Sequence, residues 1–287
     1  MRILKEAEKK NRTTAIVYFV LRLLVVAILV RAVILNRWDQ VFYCALTLVE
    51  FMIPSFVEKQ LKIELPSTLE IIVLLFIFAS EILGEIGEFY HKIQVWDLML
   101  HTTNGFLMAA IGVALIDVLN NHPKINFSMS PFFVAFVAFC FSMTIGVLWE
   151  FGEFSADRYF GADMQKDTIV RTINSDALDN TGEASLISID SITKTVVTGN
   201  VKGEPTEVVL DGYLDIGLND TIEDMFVNLI GAFVFSVIAA LYIKGRGKGG
   251  GYVAGAFIPR MLTQQELEEL SSKKSADKEK VHAHFKS

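Results

Sequence analysis

Six stretches of the chain are almost continuously apolar: Ala15–Ile34, Val41–Val57, Leu69–Tyr90, Trp96–Leu119, Pro131–Phe154 and Thr221–Ile243. A hydrocarbon core about 30 Å thick takes roughly 20 helical residues to cross, so the pattern predicts an all-α polytopic membrane protein with six transmembrane helices. The second stretch is the shortest and carries Pro54, which predicts a kink or a partial tilt there. Polar residues 155–220 separate the fifth stretch from the sixth. Within them Leu186–Val197 alternates apolar and polar side chains through most of its length, turn residues follow at Gly199-Asn200 and Gly203-Glu204-Pro205, and Thr206–Leu210 reads as a second strand. The insertion is thus a small extracytoplasmic β-hairpin cap or a flexible loop, and alternation alone leaves both open.

The ends are polar. Residues 1–14 form a basic arm, and 244–287 form a Gly-rich linker, a short helix opened by the capping box Thr263-Gln264-Gln265-Glu266, and a charged tail that reads as disordered. His282 and His284 lie in that tail and fit a solvated segment better than a metal site. No small-residue cleavage site follows the first apolar run, so it is expected to stay as a helix.

Of the 287 residues, 52% are hydrophobic and 21% charged, with a mean hydropathy of +0.42; a soluble globule of this length would not gather its apolar residues into runs. The net charge of −7 argues against a nucleic-acid partner, which calls for a basic face. Cys44 and Cys140 each sit inside an apolar run, which suits neither a disulfide framework nor a zinc cluster. Basic residues of short loops stay on the cytoplasmic side. Arg2, Lys5, Lys9, Lys10 and Arg12, then Lys59, Lys62, Lys124, Lys244, Arg246 and Lys248 mark one face; only Arg31, Arg37 and Lys92 mark the other. Both termini are therefore expected in the cytoplasm and the insertion outside.

Ionisable side chains inside a span are costly and point to function. Here they recur at helical spacing, which places each set on one face of its helix. Glu81, Glu85 and Glu88 lie at i, i+4 and i+7; Asp97, His101 and Asn104 repeat that spacing. Glu150, Glu153 and Asp157 lie at i, i+3 and i+7, and Asp220, Asp224 and Asn228 at i, i+4 and i+8. Under the assigned topology all four stripes occupy the outer half of the membrane and converge on one pocket, with Gly84, Gly87, Gly105, Gly152 and Gly231 allowing close helix approach. A plainer reading, helix-end acids reaching interfacial water, fits Glu88, Asp157 and Asp220, the outermost of each set.

So many carboxylates cannot all stay ionised in one low-dielectric pocket, and no Lys or Arg lies within the stripes. The simplest compensation is a divalent cation: Mg²⁺, Mn²⁺ or Ca²⁺ on oxygen ligands, with Zn²⁺ or Fe brought into range by a histidine. Asp97, His101, Glu81, Glu153 and Asp220 are the candidate ligands, although His101 as a hydrogen-bond donor to the acids fits nearly as well. Glu85, Glu150 and Asp224 are candidates for the catalytic carboxylates, a spare one acting as general base beside a metal that polarises a phosphoryl or carbonyl oxygen. Trp96, Trp149, Asn104 and Asn228 are candidate substrate-binding residues, the tryptophans equally suited to an interfacial belt. The lipid bilayer is one partner, and a lipid-like or cell-envelope component is the expected substrate. Two competing classes are a proton or metal-ion transporter using the same acids, and a non-catalytic binder of an envelope component. Arg22 and Glu50, at a different depth, could form an ion pair between the first two spans, in a structural rather than a catalytic role.

The residues Glu85–Gly105, Trp149-Glu150-Phe151-Gly152-Glu153, and Asp215–Met225 with Asn228, Gly231 and Ala232 resemble the YjdF-like bacterial inner-membrane proteins, and more distantly VanZ-like proteins of the cell envelope. The resemblance covers spans three to six. It implies a multi-pass protein of the bacterial cytoplasmic membrane, marks Asp97, His101, Glu150, Glu153, Asp220 and Asp224 as motif residues, and says nothing of the reaction. The insertion 158–214 is longer than that family's pattern.

Overall fold

The computed structural model describes residues 2–61, 63–120, 129–183, 185–245 and 260–262, together with Gln265. The Gly-rich linker beyond Gly245, the capping-box helix and the tail with His282 and His284 lie outside the described residues. The chain is mostly helical, and it divides into two compact units: Met1–Gly146 with Val227–Ser287, and Val147–Phe226.

The first unit opens with α1 (Arg2–Ile34), which takes in the basic arm as helix. α2 (Trp38–Glu50) packs against it. A turn at Phe51–Met52 then leads into α3 (Ile53–Leu61). Pro54 sits at the start of α3, where its missing N–H would otherwise have reached the carbonyl of Glu50, so the break falls where the sequence places it. The strand β1 (Ile63–Glu64) follows. Next come α4 (Ser67–Ile77), a π-helical continuation Phe78–Ile86, and α5 (Phe89–Lys92). α6 (Trp96–Asn120), much of α7 (Pro131–Phe160) and most of α8 (Leu218–Gly245) complete the unit. β8 (Arg260–Met261) pairs antiparallel with β1, Ile63 opposite Met261 and Glu64 opposite Arg260.

Among the described residues, five helices are long and apolar enough to cross a membrane: Arg12–Ile34, Trp38–Gln60, Trp96–Ile116, Pro131–Phe160 and Leu218–Gly245. The expected span Leu69–Tyr90 is divided between α4, the π-helical segment and α5. A π turn carries an extra residue per hydrogen-bonded ring and is frequent at functional sites.

Glycines set the closest helix approach in this unit. A Cβ on Gly105 of α6 would stand 2.1 Å from the Asn228 carbonyl oxygen of α8. One on Gly231 would stand 2.0 Å from the Thr102 carbonyl oxygen. The two backbones therefore touch at a pair of residues with no side chain, the small-residue contact on which membrane helices rely. Ser142 of α7 donates to the Gly105 carbonyl at 2.7 Å and ties a third helix to the same point.

The second unit consists of the last turns of α7, the insertion, and the first turns of α8. β2 (Thr168–Val170) pairs antiparallel with β7 (Tyr213–Asp215), and β3 (Ile173–Ser175) with β4 (Ile187–Ile189). β5 (Thr195–Val201) pairs with β6 (Glu204–Leu210). The alternating run is thus two strands, because Ser191 adopts a left-handed φ of 54° and breaks it. The hairpin turns at Lys202-Gly203, with φ of 52° and 90°, as a two-residue turn with both φ positive requires. Gly199 and Asn200, expected in the turn, lie inside β5. The helical ends reach further than hydropathy predicts, α7 to Phe160 and α8 back to Leu218, and the insertion is correspondingly shorter.

Candidate functional site

In the second unit, Glu150 and Glu153 stand one turn apart on the same face of α7, and Asp224 stands on α8. Each offers a carboxylate oxygen within 4.8 Å of one from each of the others. All three are buried, with 4%, 7% and 1% of their surface exposed. Two unit charges 4.8 Å apart repel by roughly 3–4 kcal/mol at an effective dielectric of about 20, so three such groups need protons or a cation among them. Oxygens bound to a cation at 2.0–2.6 Å, the range for Mg²⁺ and Ca²⁺, are at most about 4–5 Å apart. The trio has that spacing. Trp149 donates its indole N–H to Glu153 Oε1 at 2.7 Å and fixes that carboxylate, while its ring remains half exposed.

One turn beyond the trio on each helix lie two further acids. Asp220 offers an oxygen within 4.8 Å of one of Asp224, and its Oδ2 accepts the backbone N–H of Lys166 at 2.6 Å. Asp157 accepts from the backbone N–H groups of Met164 (2.7 Å) and Gln165 (2.9 Å). Gln165 is buried and donates from Nε2 to Thr221 Oγ1. Residues 162–166 thus form a strap held to α7 through Asp157 and to α8 through Asp220 and Thr221. The Lys166 ammonium bonds the carbonyls of Asp163 and Met164. Hydropathy gives no sign of Gln165 and Lys166; the one available signal is that two interfacial acids flank the insertion in which they lie.

The other candidates lie in the first unit. Asp97 Oδ1 is 3.6 Å from His101 Nε2 at i, i+4 on α6, with His101 buried. Asn104 Nδ2 donates to Asn228 Oδ1 at 3.2 Å, and Asn228 Nδ2 reaches Met143 Sδ at 3.6 Å. Trp96 packs edge-on against Phe89. Glu81 and Glu85 belong to the π-helical segment, which packs against α2: Ser80 donates to Glu81 at 3.3 Å and lies 3.2 Å from the Tyr90 hydroxyl, while Glu85 is exposed. Glu88 is exposed and pairs with Lys92 at 2.9 Å. Within the second unit the structure thus brings together Glu150, Glu153 and Asp224; within the first it brings Asp97 to His101 and Asn104 to Asn228. It ties Asp220 to backbone, engages Glu81 with Ser80 and leaves Glu85 exposed.

The expected pair of Arg22 and Glu50 is not what the helices make. The Arg22 guanidinium stacks 4.2 Å over the Tyr18 ring and donates to its hydroxyl, which in turn donates to the Phe51 carbonyl. Tyr18 lies one turn before Arg22 on α1, so a ring and hydroxyl on the same helix, rather than a carboxylate, engage the guanidinium, while its buried Nε has no hydrogen-bond partner among the described residues.

Residues 17–245 match the family described as predicted membrane protein (DUF2238), and the chain belongs to that family. No curated protein and no solved structure matches the chain.

Proposed function

We propose, with membership of this membrane-protein family as the premise, that the chain binds a divalent cation through Glu150, Glu153 and Asp224, and uses it to act on or hold a lipid-linked or cell-envelope component. The observation that carries the reading is the buried trio, contributed by two helices at the mutual spacing of oxygen ligands. The cation would polarise a phosphoryl or carbonyl oxygen and make bound water acidic, and a carboxylate outside its ligand set would take the proton. The resemblance to YjdF-like proteins and the distribution of loop charges support a bacterial inner-membrane location with both termini cytoplasmic and the trio toward the outside.

Six crossings rather than five are supported by the β1–β8 ladder. Paired strands lie on one side of the membrane, so the chain between Glu64 and Arg260 crosses an even number of times. α6, α7 and α8 supply three crossings; the Ser67–Ile86 helical run supplies the fourth.

Elemental analysis of the purified chain tests the cation. About one divalent ion per chain is expected, lost in Glu150→Ala and in Glu153→Ala and retained in Glu88→Ala. A metal-free wild type whose melting temperature does not respond to chelation sinks the proposal.

One observation favours a second reading, a proton or metal-ion transporter. The π-helical segment that carries Glu81 packs against α2, which ends at Glu50, so ionisable groups continue from that segment toward the other end of α2. In proteoliposomes, proton or metal flux that disappears in Asp224→Asn and in Glu81→Gln would select this reading over the first.

A further inference from the structure

We infer that the strap 162–166 is a latched cover that controls access to the carboxylate trio, with Asp157 and Asp220 as its latches and Gln165 as its wedge; this rests on the reading of the trio as a cation site. The placement follows from helix periodicity. Asp157 is four residues beyond Glu153 on α7, and Asp220 and Thr221 are four and three residues before Asp224 on α8. Side chains at these separations stack on one face. The strap therefore passes from one helix to the other one turn beyond the trio, at the ends where α7 leaves and α8 begins.

Three features make it a cover rather than a passing loop. Its N–H groups at 164, 165 and 166 are all spent on the two latch carboxylates. Gln165, a polar residue in a connecting segment, is buried and bonded to Thr221. Gly217 holds a φ of +93°, and a Cβ there would stand 2.5 Å from Gln165 Cβ, so the chain entering α8 is shaped to let the wedge in.

Asp220 joins cover to site. It holds the strap through Lys166 N–H while offering an oxygen within 4.8 Å of Asp224. A cation approaching Asp224 competes for the same carboxylate that fastens the strap, so entry and unlatching are coupled. Charge and size at the strap then select what reaches the trio: a small cation that can displace one N–H bond passes, and a bulky organic cation does not.

The test uses the full chain in detergent micelles and Mn²⁺ as the probe. Gln165→Ala, which removes one hydrogen bond, is expected to speed both Mn²⁺ uptake and its release into excess chelator by about tenfold, and Asp157→Ala, which removes two, by at least as much. Stoichiometry and Kd are expected to stay unchanged, because a cover alters rates in both directions alike. A loop that merely supports the fold would instead lower the melting temperature and weaken binding. Release rates within twofold of wild type in both variants overturn the inference. The second readout needs no bound metal: water-soluble carbodiimide with an amine nucleophile should label Glu150, Glu153 and Asp224 about tenfold faster in the variants, as read by peptide mass spectrometry. A wild type that takes up no Mn²⁺ defeats the cation reading alone, and labelling rates then decide the cover, equal rates refuting it.

Discussion

At positions 105 and 231 the chain has room for a hydrogen atom and nothing more. Gly231→Ala would drive a methyl group to 2.0 Å from the Thr102 carbonyl, and backbone cannot swing aside as a side chain does. A loss of about 1–3 kcal/mol or more is expected, read as an earlier melting transition in detergent. Gly152→Ala is the matched control: nothing lies within 4 Å of its Cβ, and alanine is the better helix former, so the melting point should hold or rise. Trp149→Phe keeps an aromatic ring, though a smaller one, and removes the N–H that fixes Glu153. If the trio binds a cation, Kd for Mn²⁺ should rise about tenfold in this variant, measured by titration. The carboxylates were legible at this scale because the helical period is fixed, and Glu150, Glu153 and Asp224 do share one place. Spacing cannot say what else an acid is bonded to. Asp157 and Asp220 accept backbone N–H groups from a segment with no hydropathic signature, and Arg22 finds a tyrosine on its own helix.

Among the elements, the insertion shows where reading from alternation stops. The run Leu186–Val197 looks like one strand, yet Ser191 turns left-handed within it and divides the residues between two pairings. Such a backbone choice is made by the surrounding ladder, not by the local pattern. The connection before β4 is organised around Asp179, whose carboxylate accepts from the N–H groups of Thr181 (2.8 Å) and Ser185 (3.0 Å) and from the Thr181 hydroxyl. These bonds hold the carboxyl below its ordinary range, the Ser185 N–H contributing most. A group whose folded value is depressed stabilises the structure above its unfolded value, and that contribution is lost as pH falls through the folded one. Amide exchange at Thr181 and Ser185 should therefore be slowed and steady from neutral pH down to about 4 and lose its extra protection below that, after correction for intrinsic rates. Asp179→Asn should remove the pH dependence; a dependence that survives in this variant assigns it elsewhere.

For the molecule as a whole, hydropathy alone delivers a polytopic helical protein, because length and apolarity are set by the bilayer. It does not deliver the division of the third apolar stretch into α, π and α pieces, since a π turn leaves no mark on composition. A ligand that binds only the folded chain stabilises it by mass action, so Mn²⁺ at a hundredfold over its Kd should add about 2.7 kcal/mol. That gain is read as a rise in melting temperature reversed by chelator and absent from Glu150→Ala. The ladder between Ile63–Glu64 and Arg260–Met261 also bears on how the chain can be handled. A truncation just before Arg260 would strip the partner from a strand whose Ile63 is 2% exposed, leaving an open hydrogen-bonding edge beside the start of α4. Expression versions should keep the sequence through Met261 and attach purification tags beyond it.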